Sequence, residues 1–287
     1  KMLINGATQN TIDISDRGFQ YGDGLFETIE IWQNHPVFLT QHLKRIHYGC
    51  QRLQIPEIDD TILRNDIKKS LLHCQTGHAV LKLIITRGKG DRGYRQPEEI
   101  NPTRALSLHP FPSYPVDYQT QGICVRICKT RLGINPTLAG IKHLNRLEQI
   151  LARAEWQDNS IQEGIMLDIN DHVIEGTMTN LFYVKSGCLY TPLIKNNGIA
   201  GIIRDWIIRI AKQFELNVIE KPLTLDNVYT ADELLLCNSI IGIWGVRQLE
   251  NKHYSIGPIT KQLQQALYFE KQKQVSYALS YCTTHCN

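Results

Sequence analysis

Lys142 stands in Gly140-Ile-Lys142-His-Leu-Asn-Arg-Leu-Glu148, two residues after a glycine and at the expected start of a helix. A cation is disfavoured at the positive end of a helix macrodipole. An amine whose ammonium is destabilised gives up its proton more readily, which is what a Schiff-base lysine requires. Further on, Glu175 closes an apolar strand and is followed by the small polar run Gly-Thr-Met-Thr-Asn180. A third segment, Asn197-Gly-Ile-Ala-Gly201-Ile202-Ile203-Arg204, leads a glycine loop straight into a helix. The first amides of a helix have no partner within it and suit an anion such as phosphate. Singly, each segment has an ordinary counterpart: a surface lysine, a turn carboxylate, a glycine junction that binds nothing. In this order they supply an amine that can join an aldehyde, a carboxylate for a pyridine nitrogen and an anion cradle, which are the parts that hold pyridoxal phosphate.

The elements that must position these groups are legible from periodicity. Leu43, Ile46, Cys50 and Leu53 recur at helical spacing, with Thr40 as the expected cap, Pro56 as the stop and a basic outer face that includes Arg45. Ala79 to Thr86 is apolar and β-branched, so a buried strand is expected there, followed by a glycine-rich loop to Tyr94. Gly122 to Lys129 reads as another strand. The helix opening at Lys142 is expected to carry Leu144, Leu147, Leu151 and Ala154 on one face. Asn170-Asp171 and Ser186-Gly187 are turn dipeptides between short apolar runs and predict two hairpins. After Gly201, the residues Ile203, Trp206, Ile207, Ile210, Ala211 and Phe214 share one helix face, with Arg204, Asp205 and Lys212 outside it, and Glu233 to Cys237 follows as a short buried strand. Pro110, Pro112 and Pro115 form the dense proline stretch of the chain. This divides the sequence into a small N-terminal α/β domain at 1–109, a linker at 110–118 and a larger C-terminal domain at 119–287, with a cleft between the domains.

Composition narrows the partners. Of 287 residues, 42% are apolar and 21% charged, and the formal charge is only +3, so neither nucleic acid nor an anionic membrane is expected as the principal partner. The apolar run Ile240 to Val246 falls far short of the roughly 20 residues that span a bilayer. The first residues show no secretory pattern, and the expected setting is cytoplasmic. Eight cysteines without a CxxC pair read as reduced thiols. Cys282-Thr-Thr-His285-Cys286 offers three close ligands where a closed zinc site needs four, so a polar tail is expected there and no metal.

Five segments carry a family resemblance: Ser15 to Thr28, His42 to Ile46, Leu138 to Gln149, Glu175 to Phe182 and Gly201 to Arg204. In order and spacing they resemble the fold-type IV pyridoxal-phosphate enzymes over nearly the whole chain. That family holds branched-chain and D-amino-acid aminotransferases and aminodeoxychorismate lyases. The blocks IKHLNRLEQ, TRGKGDRGY and LLLCN are most similar to the lyases.

The resemblance implies an α/β (α+β) fold of two mixed domains, like that of D-amino-acid aminotransferase, with the cofactor in the inter-domain cleft. It implies that Lys142 joins the cofactor covalently and that Glu175 faces its ring nitrogen. Arg45, the amides of Ile202 and Ile203 and the hydroxyl of Ser239 then hold the phosphate, and Asn180 belongs to the same cofactor set. Many relatives carry threonine where Ile203 stands, so only its backbone can serve. Arg92 and Tyr94, with Arg87 as a second candidate, are implied as substrate contacts, and Phe26 and Thr28 as pocket wall. The activity implied is a carbon–oxygen lyase acting on 4-amino-4-deoxychorismate to give 4-aminobenzoate and pyruvate for folate, in a homodimer. Two alternatives stay open: a branched-chain or D-amino-acid aminotransferase on the same cofactor, and a protein that binds pyridoxal phosphate without turnover.

Overall fold

The computed structural model describes residues 2–284. Two compact units emerge: one runs to Pro112 and takes in Ile141–Asn145 and the stretch from Lys271, and the other comprises Ser113–Gly140 and Arg146–Glu270. His285 and Cys286 of the tail lie outside the described residues.

The first unit is built on a six-stranded antiparallel sheet among the described residues, in the order Ala7–Thr8, Met2–Ile4, Thr103–Pro110, Ala79–Thr86, Gly24–Trp32, His35–Pro36. Alternation along Gly24–Trp32 sends Leu25, Ile29 and Ile31 into a core shared with Leu43, Ile46 and Cys50 of the helix Leu39–Leu53 and with Leu63 and Ile67 of the helix Asp60–Leu71. Burial of each such side chain contributes about 1.5–3 kcal/mol. The helix and sheet approach closely at Gly49, where a Cβ would lie 2.8 Å from both Leu25 methyl groups. The helix begins one residue before the expected cap: Phe38, in left-handed conformation at φ 54°, occupies the cap position with no side-chain hydrogen bond.

The second unit carries a nine-stranded mixed sheet among the described residues. Val218–Lys221, Cys188–Pro192, Asn180–Lys185, Glu233–Asn238, Gly242–Leu249, Ile123–Leu132, Glu163–Asp168 and Val173–Gly176 follow one another, and Lys252–His253 pairs with Gly242–Leu249. Asn180 pairs with Glu175, so Val173–Gly176 meets Asn180–Lys185 and closes six of these strands into a ring. Both expected hairpins are present: Ser186 and Gly187 take φ of 49° and 75°, the double positive φ of a type I′ turn, and Asp171 takes 60°. The helix Ile202–Gln213 crosses between the parallel strands Cys188–Pro192 and Val218–Lys221. Arg204 is not on its outer face as the pattern suggested. It is buried, donating to the Pro192 carbonyl at 2.9 Å and to Glu220 at 2.6 Å, an ion pair that lets a charged side chain enter an apolar face.

The helix expected to open at Lys142 opens instead at Leu147 and runs to Arg153. Its apolar residues face outward: Leu147, Ile150 and Leu151 are 72%, 61% and 60% exposed, while Ala152 is buried. Residues 142–144 are drawn out of helical geometry by a competing partner. Phe26 N donates to the Lys142 carbonyl at 3.0 Å, Leu144 N donates to the Gly24 carbonyl at 3.0 Å, and Leu25 and His143 form an antiparallel bridge. No helix among the described residues is long and apolar enough to cross a membrane.

Candidate active site

In the first unit, the start of the Gly24–Trp32 strand therefore holds the backbone of residues 142–144 at the Lys142 carbonyl and the Leu144 N–H. Glycine at 24 leaves room for this approach, since a Cβ there would fall 3.0 Å from Leu144 Cδ1 and 2.4 Å from the Ile85 carbonyl oxygen of the neighbouring strand. Asn145 adds a side-chain donation to the Gly22 carbonyl at 2.9 Å. The Lys142 amine lies 4.2 Å from the ring centroid of half-buried Phe26, and Thr28, two residues along, shares that face of the strand. Because the helix starts five residues after Lys142, this amine does not sit in the first turn of a helix, as the sequence pattern suggested. What the fold supplies is a fixed backbone and an aromatic face.

Arg45 is held from the opposite face of the same strand. Its Nε and Nη2 donate to the two oxygens of buried Glu27 at 2.7 and 2.5 Å, a forked pair. His42, one turn before Arg45, places Nδ1 2.6 Å from Glu27 Oε2. Burial works against the charge of Glu27, but Arg45 and then His42 hold its carboxyl down at about 2. Burial pulls the pKa of His42 down, so the ring is neutral at pH 7, Nδ1 carries the proton donated to Glu27, and Nε2 is an acceptor with no partner among the described residues. Sequence reasoning missed Glu27 and His42. The signal was there: an acidic residue at a core-facing strand position between Leu25 and Ile29, opposite a helix face carrying histidine and arginine three apart.

Arg87 is not placed to meet a substrate. It is 4% exposed, and its guanidinium is spent on both oxygens of Asp23, at 2.8 and 3.0 Å, and on the carbonyls of Gln54 and Leu53. These contacts tie the end of one strand to the end of a helix, and the burial leaves no free face. Arg17 completes the cluster, donating to Asp23 at 2.9 Å and to the Gly93 carbonyl at 3.0 Å. The loop it clamps presents Arg92 and Tyr94 outward, Tyr94 being 87% exposed with its ring 5.7 Å from that of Tyr21.

In the second unit, Glu175 and Asn180 face each other across their strand pair, both buried. Glu175 Oε2 accepts the Ile199 N–H at 2.8 Å, and Asn180 Nδ2 donates to the Ile199 carbonyl at 2.8 Å. The loop that enters the helix Ile202–Gln213 is thereby docked onto the hairpin. Two glycines allow it: Gly198 turns with φ 80°, and at Gly201 a Cβ would meet Asn180 Oδ1 at 1.9 Å. Gly140 donates to the Gly198 carbonyl at 2.9 Å from the other side. Gly201 is the N-cap and no side chain caps the helix, leaving its first amides, those of Ile202 and Ile203 among them, as donors in a glycine-lined cradle. Ser239 sits in the turn after Glu233–Asn238, whose Asn238 Oδ1 accepts the Ile240 and Ile241 amides at 2.8 Å. Asn197 Nδ2, just before this loop, is buried with no partner among the described residues.

Residues 24–249 match the model of the family described as amino-transferase class IV. The chain belongs to that family. Among its class IV relatives, an aminodeoxychorismate lyase of Vibrio harveyi is 36% identical over 91% of this chain and 97% of its own length. A branched-chain-amino-acid aminotransferase of Escherichia coli is 28% identical over 90% of the chain and 87% of its own. Among solved structures, 4-amino-4-deoxychorismate lyase of Pseudomonas aeruginosa superimposes with a TM-score of 0.88 at 42% identity, covering 93% of this chain and 98% of that one. The fold is the mixed α+β fold of the class IV enzymes.

Proposed function

We propose that this protein is a pyridoxal-phosphate-dependent carbon–oxygen lyase that converts 4-amino-4-deoxychorismate to 4-aminobenzoate and pyruvate, as folate biosynthesis requires. The observation that carries this reading is the likeness to two lyases of that name, at 36% and 42% identity over more than nine-tenths of the chain, against 28% for the Escherichia coli aminotransferase. A homodimer and a cytoplasmic setting belong to the same reading.

The residues present fit the cofactor. An uncapped helix start lined by Gly198 and Gly201 suits a phosphate, a buried carboxylate at Glu175 suits a protonated pyridine nitrogen, and Lys142 is an amine on a clamped backbone. When bound, pyridoxal phosphate supplies an aldehyde carbon that an amine can join and a ring that accepts an electron pair. Ile202 and Ile203 amides, the Ser239 hydroxyl and Arg45 are assigned to the phosphate, and Asn180 to the support of that cradle.

Lys142 then does the proton chemistry. With the cofactor in place, the Lys142 amine would take the proton from the substrate ring carbon that bears the nitrogen. The neighbouring ether C–O bond breaks, its electron pair leaving on oxygen as enolpyruvate while the ring becomes aromatic. Lys142, now an ammonium, returns the proton to the enolpyruvate methylene carbon, giving pyruvate. Arg92 and Tyr94 are assigned to the substrate carboxylates, with Phe26 and Thr28 as the wall. The test is to supply enzymatically generated substrate and follow both products, expected in equal amounts. Conversion of bound aldehyde to the pyridoxamine form by an amino acid alone, at a rate competent for turnover, would instead establish the aminotransferase alternative. Cofactor uptake with neither reaction would establish a carrier.

A further inference from the structure

We propose that Glu163 is the positioning residue of this site, its buried carboxylate fixing the turn that follows Glu175 and, through Asn238, the turn that carries Ser239. Glu163 is 1% exposed at the start of the Glu163–Asp168 strand. Its Oε1 accepts the N–H of Gly164 at 2.8 Å, the N–H of Thr177 at 3.1 Å and the Thr177 hydroxyl at 2.5 Å. Its Oε2 accepts the Met178 N–H and the Thr179 hydroxyl, each at 3.1 Å. Two carboxylate oxygens are thus saturated by donors, four of them from residues 177–179.

The wrapping is tight enough to require glycine at 176, where a Cβ would fall 2.1 Å from Thr179 Oγ1 and 2.9 Å from Glu163 Oε2. Closing the turn, Gly176 N donates to the Thr179 carbonyl at 2.7 Å. From there the chain of bonds continues: the Met178 carbonyl accepts from Asn238 Nδ2 at 3.0 Å, and Asn238 Oδ1 takes the amides of Ile240 and Ile241, the two residues after Ser239. Burial pushes the Glu163 carboxyl up, and the Thr177, Gly164, Met178 and Thr179 donors oppose that rise. A buried carboxylate is a costly way to stabilise a sheet that already carries an apolar core, but it is an effective way to dictate the shape of a polar turn. The two turns so dictated flank Glu175 and contain Ser239, and the proposal rests on the cofactor roles given to those residues above.

The full chain, stripped of cofactor and titrated with pyridoxal phosphate or with pyridoxal, provides the test. Glu163→Gln places an amide N–H among donors, and the affinity for pyridoxal phosphate is expected to fall roughly tenfold or more. The fall for pyridoxal, which lacks the phosphate, is expected to be smaller, and the absorbance band of the bound cofactor is expected to shift. Glu163→Asp, which keeps the charge, recovers part of the loss. Should Glu163→Gln fail to fold, Thr177→Val and Asn238→Ala each remove one link and are expected to weaken pyridoxal phosphate more than pyridoxal. Wild-type affinities and spectrum in these variants, or equal losses for both ligands that track a falling melting temperature, would overturn the proposal. Borohydride labelling of Lys142 in the wild type separates the two layers. If Lys142 is labelled and the variants behave as wild type, only the role of Glu163 falls; if Lys142 is never labelled, the cofactor reading falls and this proposal with it.

Discussion

Glu175 and Asn180 grasp the same residue from opposite strands, one taking the N–H of Ile199 and the other donating to its carbonyl, each at 2.8 Å. A carboxylate assigned to the cofactor ring and a loop assigned to its phosphate are therefore mechanically one piece. Gly201→Ala drives a methyl into Asn180 Oδ1 and is expected to cost about 1–3 kcal/mol of stability. Pyridoxal phosphate affinity is expected to drop with it, read by thermal melts and cofactor titration.

Lys142→Ala is expected to abolish borohydride-trapped attachment of the cofactor, seen as loss of the corresponding mass increment. Turnover is expected to fall by at least roughly 10²–10⁴-fold, the range of acid–base catalysis alone. Cofactor retained by the uncapped helix start can still be present, so mass spectrometry after reduction is the decisive measurement.

Arg87 and Arg92 are expected to separate cleanly. Arg87→Ala leaves Asp23 with Arg17 alone and two carbonyls without their donor, a loss expected at about 1–3 kcal/mol in a denaturant melt. Arg92→Ala, on an exposed loop, is expected to change stability by less than about 0.5 kcal/mol, so that its effect appears in KM for the substrate.

Glu27 gives the acid limb of stability a definite source. Its carboxyl is held at about 2 in the fold against an ordinary 4.5, so it favours the folded state fully above pH 4.5. That contribution is lost as the pH falls from 4.5 through 2. Glu27→Gln is expected to lower stability at neutral pH and to flatten the pH dependence across that window, measured as urea midpoints.

Much of the framework was legible because local chemistry decided it. Ala79–Thr86 matches its expected bounds, being a β-branched run stopped by Arg87-Gly88, and Ser186-Gly187 could hardly do anything but turn. The lysine segment misled because Leu144, Leu147 and Leu151 mimic a helical face while its backbone groups are claimed by Gly24 and Phe26, more than a hundred residues away. No local window contains that competitor. Charged residues were illegible for a related reason: Arg87, Arg204 and Glu27 carry the same letter whether solvated or buried against a partner, and the partner is set by tertiary structure.

The ring of the second unit also dictates an order of events during synthesis. Ile123–Leu132 is flanked by Glu163–Asp168 and by Gly242–Leu249, the latter more than a hundred residues downstream. Until the ribosome has released that distant strand, one rim of the nascent sheet stays bare, with unsatisfied amides and apolar side chains exposed to neighbouring chains. Chaperone dependence, and losses to inclusion bodies at high expression rates, should therefore respond to how fast residues 170–250 are translated.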